Sequence, residues 1–77
     1  MKLNSIGINM TEVEMELCIV LFSYKTPVAF YDKDADMYYK TDKYWSRTTS
    51  RHIRQWLRDN DSNCMNIITQ KELDNLL

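Results

Sequence analysis

Apolar and polar positions alternate through the first third of the chain. Ile6, Ile8 and Met10 flank Gly7 and Asn9 and predict a first short strand. Val13, Met15 and Leu17 then alternate with Glu12, Glu14 and Glu16, a period of two that predicts a strand with its glutamates towards water. Thr11 followed by Glu14 offers a helix-capping box over the same residues. The alternation and the β-branched, aromatic run Ile19-Val20-Leu21-Phe22 favour strand. Ser23–Pro27 continues or bends that strand, and Pro27, with no N–H for a ladder, belongs at an edge, a strand start or a bulge. Val28–Tyr31 and Met37–Lys40 flank the polar run 32–36 and predict a hairpin, with Tyr31, Tyr38 and Tyr39 placed to pair across it.

The period changes after Trp45. Thr48, Thr49 and Ser50 are all good N-cap types, and the spacing predicts a helix over about 49–59. Ile53, Trp56 and Leu57 fall at i, i+3 and i+4 and form one apolar stripe for the sheet. Asp59–Asn63 is a break, and Met65–Ile68 a brief strand or extended link. Thr69 with Glu72 makes a capping box for a short C-terminal helix carrying Leu73, Leu76 and Leu77. The expected fold is α+β: a small antiparallel sheet of three to four strands with the helices packed on one face, as a single domain over 1–77.

Composition narrows the class. A chain of 77 residues buries only roughly 60–65% of its unfolded surface, so its core is small. One Gly and one Pro argue against a disordered linker. Cys18 and Cys64 are far apart, without a CxxC, and read as buried reduced thiols of a cytoplasmic protein. The first ten residues lack the apolar core of a signal peptide, and the longest apolar run, Leu17–Phe22, is too short to cross a bilayer. No membrane association is expected.

Charge changes the picture more. The segment Tyr38–Arg58 holds six of the ten basic residues (Lys40, Lys43, Arg47, Arg51, Arg54 and Arg58) against one acid, Asp42. A chain of net charge −1 thus divides into a segment of +5 and a remainder of −6. Arg51, Arg54 and Arg58 cluster within about 60° on a helical wheel, away from the apolar stripe. Arg51, taken in the first turn, stands against the helix dipole, and Arg58 stands with it. Tyr44 and Trp45 lie between the cations, one expected to point inward and one outward. Cations that track a phosphate backbone and rings that stack on bases suit single-stranded nucleic acid. A solvated or salt-bridged helix face and a protein-binding surface remain the alternatives.

Catalytic chemistry finds little support. His52 stands among Ser46, Thr48, Thr49 and Ser50 without a third orienting group or an oxyanion hole, so the hydroxyls read as caps. Asp32-x-Asp34-x-Asp36 begins like a calcium loop. It has Met37 where the loop needs Gly, and Lys43 at the twelfth position in place of Glu, so it reads as a turn. No catalytic residue, cofactor or metal is expected.

The run Ser23-Tyr24-Lys25-Thr26-Pro27-Val28-Ala29, with Tyr39-x-Thr41, Ser46-x-Thr48-Thr49-Ser50-x-His52-Ile53 and the following Leu57, resembles short uncharacterised proteins of phages and prokaryotic mobile elements. The likeness covers roughly the middle half of the chain. It implies a compact sheet–helix unit, located in the host cytoplasm if phage-encoded, and no assigned activity. By analogy such proteins act by binding nucleic acid, a host protein or a nucleoprotein complex, and host-defence inhibitors such as anti-CRISPR proteins are one class. Glu12, Glu14, Glu16 and Asp32/Asp34/Asp36 would then give a second, anionic face. An open strand edge makes a homodimer reasonable.

Overall fold

The computed structural model describes residues 2–62 and 66–76. The expected alternative over Thr11–Glu14, a helix, is not adopted, and six strands form where three to four were expected. They are β1 (Lys2–Gly7), β2 (Met10–Glu14), β3 (Cys18–Ser23), β4 (Thr26–Asp32), β5 (Met37–Thr41) and β6 (Ile67–Ile68). Helix α1 (Arg47–Asp59) lies between β5 and β6, and α2 (Gln70–Asp74) follows β6. The sheet order is β1-β2-β3-β4-β5-β6. Neighbours from β1 to β5 run antiparallel, and β6 joins β5 in parallel, with α1 as the crossover that a parallel pair requires.

Turn chemistry explains the extra strands. Ile6, Ile8 and Met10 do not form one strand, because the chain reverses at Ile8-Asn9 with Asn9 in the left-handed region at φ 61. Asn tolerates that conformation better than most residues. Glu16 and Leu17 likewise lie in a bend between β2 and β3, which ends the alternation of glutamates early. Tyr24, at φ 58, turns β3 into β4, and its N–H reaches the Asn9 carbonyl at 2.7 Å, tying two hairpin tips together. Pro27 sits where the β3–β4 register shifts: Phe22 faces Pro27, Leu21 faces Ala29, and Val28 is the extra residue. This is the bulge that a proline inside a sheet needs.

The two helices cover opposite faces of the sheet, not one. On the first face Ile53, Trp56 and Leu57 of α1 pack on Met10, Leu21, Val28 and Ala29, flanked by Ile19, Tyr31 and Tyr38. On the second, Leu73 of α2 packs on Val20 and Phe30, with Cys18, Phe22, Tyr39 and Ile68 around them. The β4–β5 rings do pair across the hairpin: Tyr31 with Tyr38 at 4.6 Å, and Phe30 stacked on Tyr39 at 4.8 Å. Asp32 accepts the Asp34 and Ala35 N–H groups, and Asp36 accepts the Tyr31 hydroxyl, so two of the three acids of the run serve the turn.

Expected roles for Cys64, Leu77 and the Met65 end of the brief strand lie outside the described residues. Cys18 is half-buried, and burial with the nearby Asp32 pushes its thiol pKa up. Among the described residues no helix is long and apolar enough to cross a membrane.

Candidate nucleic-acid interface

Helix α1 begins two residues earlier than its hydroxyl run suggests. Ser46, extended at φ −168 and ψ 166, is the N-cap, and its side chain accepts the Thr49 N–H. Thr49 is therefore free to turn inward. Its hydroxyl lies 3.0 Å from Ser23 Oγ, which lies 2.8 Å from His52 Nδ1. Ser23, Thr49 and His52 are all buried, Ser23 at 2% exposure, so this Ser–His pair is packed between β3 and α1. Burial, with the adjacent Arg51 charge, holds the His52 pKa below its ordinary value. The network bolts α1 to the end of β3.

With the helix starting at Arg47, that residue takes the first helical position and Arg51 lies a turn later. At 100° per residue Arg47 falls inside the arc of Arg51, Arg54 and Arg58. The four guanidiniums form one row about 16 Å long, at 1.5 Å rise per residue. All four are exposed, and the first turn of α1 holds no acid. Among the described residues the ion pair is Lys33 with Glu14, at 3.1 Å, which lowers the Glu14 pKa. None of the six cations of the basic segment belongs to it.

The segment 42–46 carries the rest. Tyr44 is 72% exposed and Trp45 40%, so both rings face outward and the expected in–out division does not occur. Lys43 Nζ sits 4.0 Å from the Trp45 ring centroid, a cation–π contact. Gln70, the first residue of α2, fixes this segment. Its Oε1 accepts from Thr41 Oγ1 at 2.7 Å and from Trp45 Nε1 at 3.1 Å. Its Nε2 donates to the Pro27 carbonyl at 2.8 Å and to Asp74 at 3.0 Å. The Gln70 backbone N–H donates to the Asp42 carboxylate at 3.1 Å.

Between this segment and α1 lies a cleft of about 310 Å³, lined by Lys40, Lys43, Tyr44, Ser50, Ile53 and Arg54 among others. The expected site residues thus separate into two groups. Lys40, Lys43, Tyr44 and Arg54 converge on the cleft, with Trp45 beside Lys43. Arg47, Arg51 and Arg58 lie along the helix outside it. Ser50 was expected as a helix-cap candidate and not as a site residue, and Gln70 was not singled out by the sequence. Ser50 precedes Arg54 by four residues and so shares its helix face. No local pattern marks Gln70, whose partners other than Asp74 lie 25 to 43 residues away.

The anionic face is largely committed elsewhere. Glu12 and Glu14 pair with Leu21 and Ile19 on the α1 side of the sheet, and Glu12 accepts the Trp56 indole N–H at 2.6 Å. Trp56 is buried as expected. None of the curated proteins or solved structures compared with the chain matches it. Residues 1–75 match the model of a family of unknown function, DUF8033, and the chain belongs to that family.

Proposed function

We propose that the protein is a non-enzymatic binding module that takes single-stranded nucleic acid along the arginine row of α1 and the 42–46 segment. The supporting observation is the state of the six cations. Among the described residues none has a carboxylate within ion-pair distance, while Lys33 does. A fold that leaves its cations unpaired on one side presents them to an outside anion. Tyr44 and Trp45, outward at the N-terminal end of the row, favour unpaired bases, which stack on rings.

Fluorescence anisotropy against single-stranded DNA, RNA and duplex DNA over a salt series tests this. Six phosphate contacts on a single strand give a log–log salt slope of about −4. The Arg51→Ala/Arg54→Ala variant should bind weakly yet melt like the wild type, since both side chains are exposed. Absence of binding at low salt would end the reading.

A second reading, a protein-binding module that blocks a host complex, rests on the outer strand β1. Leu3 and Ile8 are 67% and 87% exposed at that end of the sheet. Its signature is a stable protein complex that Leu3→Lys abolishes, together with no nucleic-acid affinity at physiological salt.

A further inference from the structure

We infer that the cleft beside α1 is a phosphomonoester subsite that receives the phosphorylated end of a strand; this rests on the nucleic-acid reading above. Three basic residues line the cleft from three parts of the chain: Lys40 from β5, Lys43 from the connecting segment, its ammonium 4.0 Å from the Trp45 ring, and Arg54 from the middle of α1. The one carboxylate on its rim, Asp42, is turned to the Gln70 N–H at 3.1 Å. Its remaining charge is set against three. A phosphodiester brings one negative charge, whereas a phosphomonoester carries about −1.5 to −2 at pH 7 and three acceptor oxygens. The more highly charged anion suits a cleft lined by three basic residues, and charge-assisted bonds to it are the strong ones.

Size and walls agree. A volume of about 310 Å³ lies at the lower end of small-molecule sites, which run from about 300 to 1,000 Å³ and suit one nucleotide here. Ile53 supplies an apolar floor, Ser50 a hydroxyl, and Tyr44 a ring against which the terminal base can lie. The wall is held before any ligand arrives, because Gln70 fixes Thr41 and Trp45 on either side of Lys43. A prepared site loses less on binding than one ordered by its ligand. The arginine row continues from Arg54 along the helix, so a strand whose end sits in the cleft runs on over exposed guanidiniums.

The test is anisotropy with one oligonucleotide sequence carrying a 5′-phosphate, a 3′-phosphate or hydroxyl ends, alongside titration of adenosine monophosphate followed by amide NMR shifts. The expected result is binding about tenfold tighter for one phosphorylated end. Lys40→Met, which keeps the apolar stem, and Arg54→Gln on the exposed helix should each erase that preference. Arg58→Gln should weaken all three strands alike and keep it. Equal affinity for all ends, with no shift at Ser50 or Tyr44 on adding the nucleotide, overturns the subsite and leaves strand binding standing. Nucleotide shifts without strand binding assign the phosphomonoester to a free nucleotide and remove the strand reading. Neither response overturns both.

Discussion

Glu12 illustrates how a polar residue in an alternating run is misread. Its spacing with Glu14 and Glu16 suggests a face towards water, yet α1 lies over that face and the Trp56 indole donates to the Glu12 carboxylate. The alternation itself was legible; which helix would roof the glutamate side was not, because β2 has an apolar residue on each face, Met10 and Val13. A hydrogen bond to a charged group contributes about 1.5–3 kcal/mol, so Trp56→Phe should lower the unfolding free energy by at least that much. A double-mutant cycle with Glu12→Ala, which removes the acceptor, followed by urea denaturation, isolates the coupling. His52 makes the complementary case. Its folded pKa is depressed, so its contribution is complete above the unfolded value of about 6.5 and declines as pH falls towards the folded one. Thermal melts from pH 7.5 to 5 should therefore fall more steeply for the wild type than for His52→Gln. Equal slopes would mean that the imidazole takes up its proton without cost in the fold.

At the scale of elements, what the sequence disclosed follows the strength of local signals. The stripe Ile53, Trp56 and Leu57 marked α1, and Thr69 with Glu72 marked α2, whose cap is Thr69 as expected. The start of α1 was ambiguous because four hydroxyl residues compete for one capping role. Tertiary burial decides among them: Thr49 bonds Ser23 in the core, which leaves Ser46 to close the helix. Ser46→Ala should then cost about 1 kcal/mol, within the 0.5–2 range of lost caps, whereas Thr48→Ala should cost only a few tenths. Chemical denaturation of the two variants side by side decides the assignment. The first hairpin was hidden for a different reason. Lys2–Gly7 has little β preference of its own and becomes a strand by pairing with β2. Ser23, at the end of β3, meets Thr49 and His52 of α1 across 26 to 29 residues of chain, a bolt between sheet and helix that no local pattern discloses.

For the molecule as a whole, the charge division was plain in the sequence, but the division of its cations into a row and a cleft was not. That separation depends on where β5 leaves the sheet and on Gln70, which is distant in sequence from Thr41 and Trp45, the two residues of the cleft wall that it fixes. The same distances set an order of events. Strands β1 to β5 close through short turns, a local process that runs early, whereas the Gln70 bond to Pro27 spans 43 residues and must wait for the end of the chain to dock. Units added last and held by few contacts are also the first to open. In native-state hydrogen exchange the amides of Asp42 and Gln70 should exchange together, well ahead of those in β3 and β4. Such exchange would give the cleft wall a lifetime of its own, shorter than that of the sheet. A ligand that needs the wall closed would prolong it, slowing the exchange of a helix that the ligand never touches.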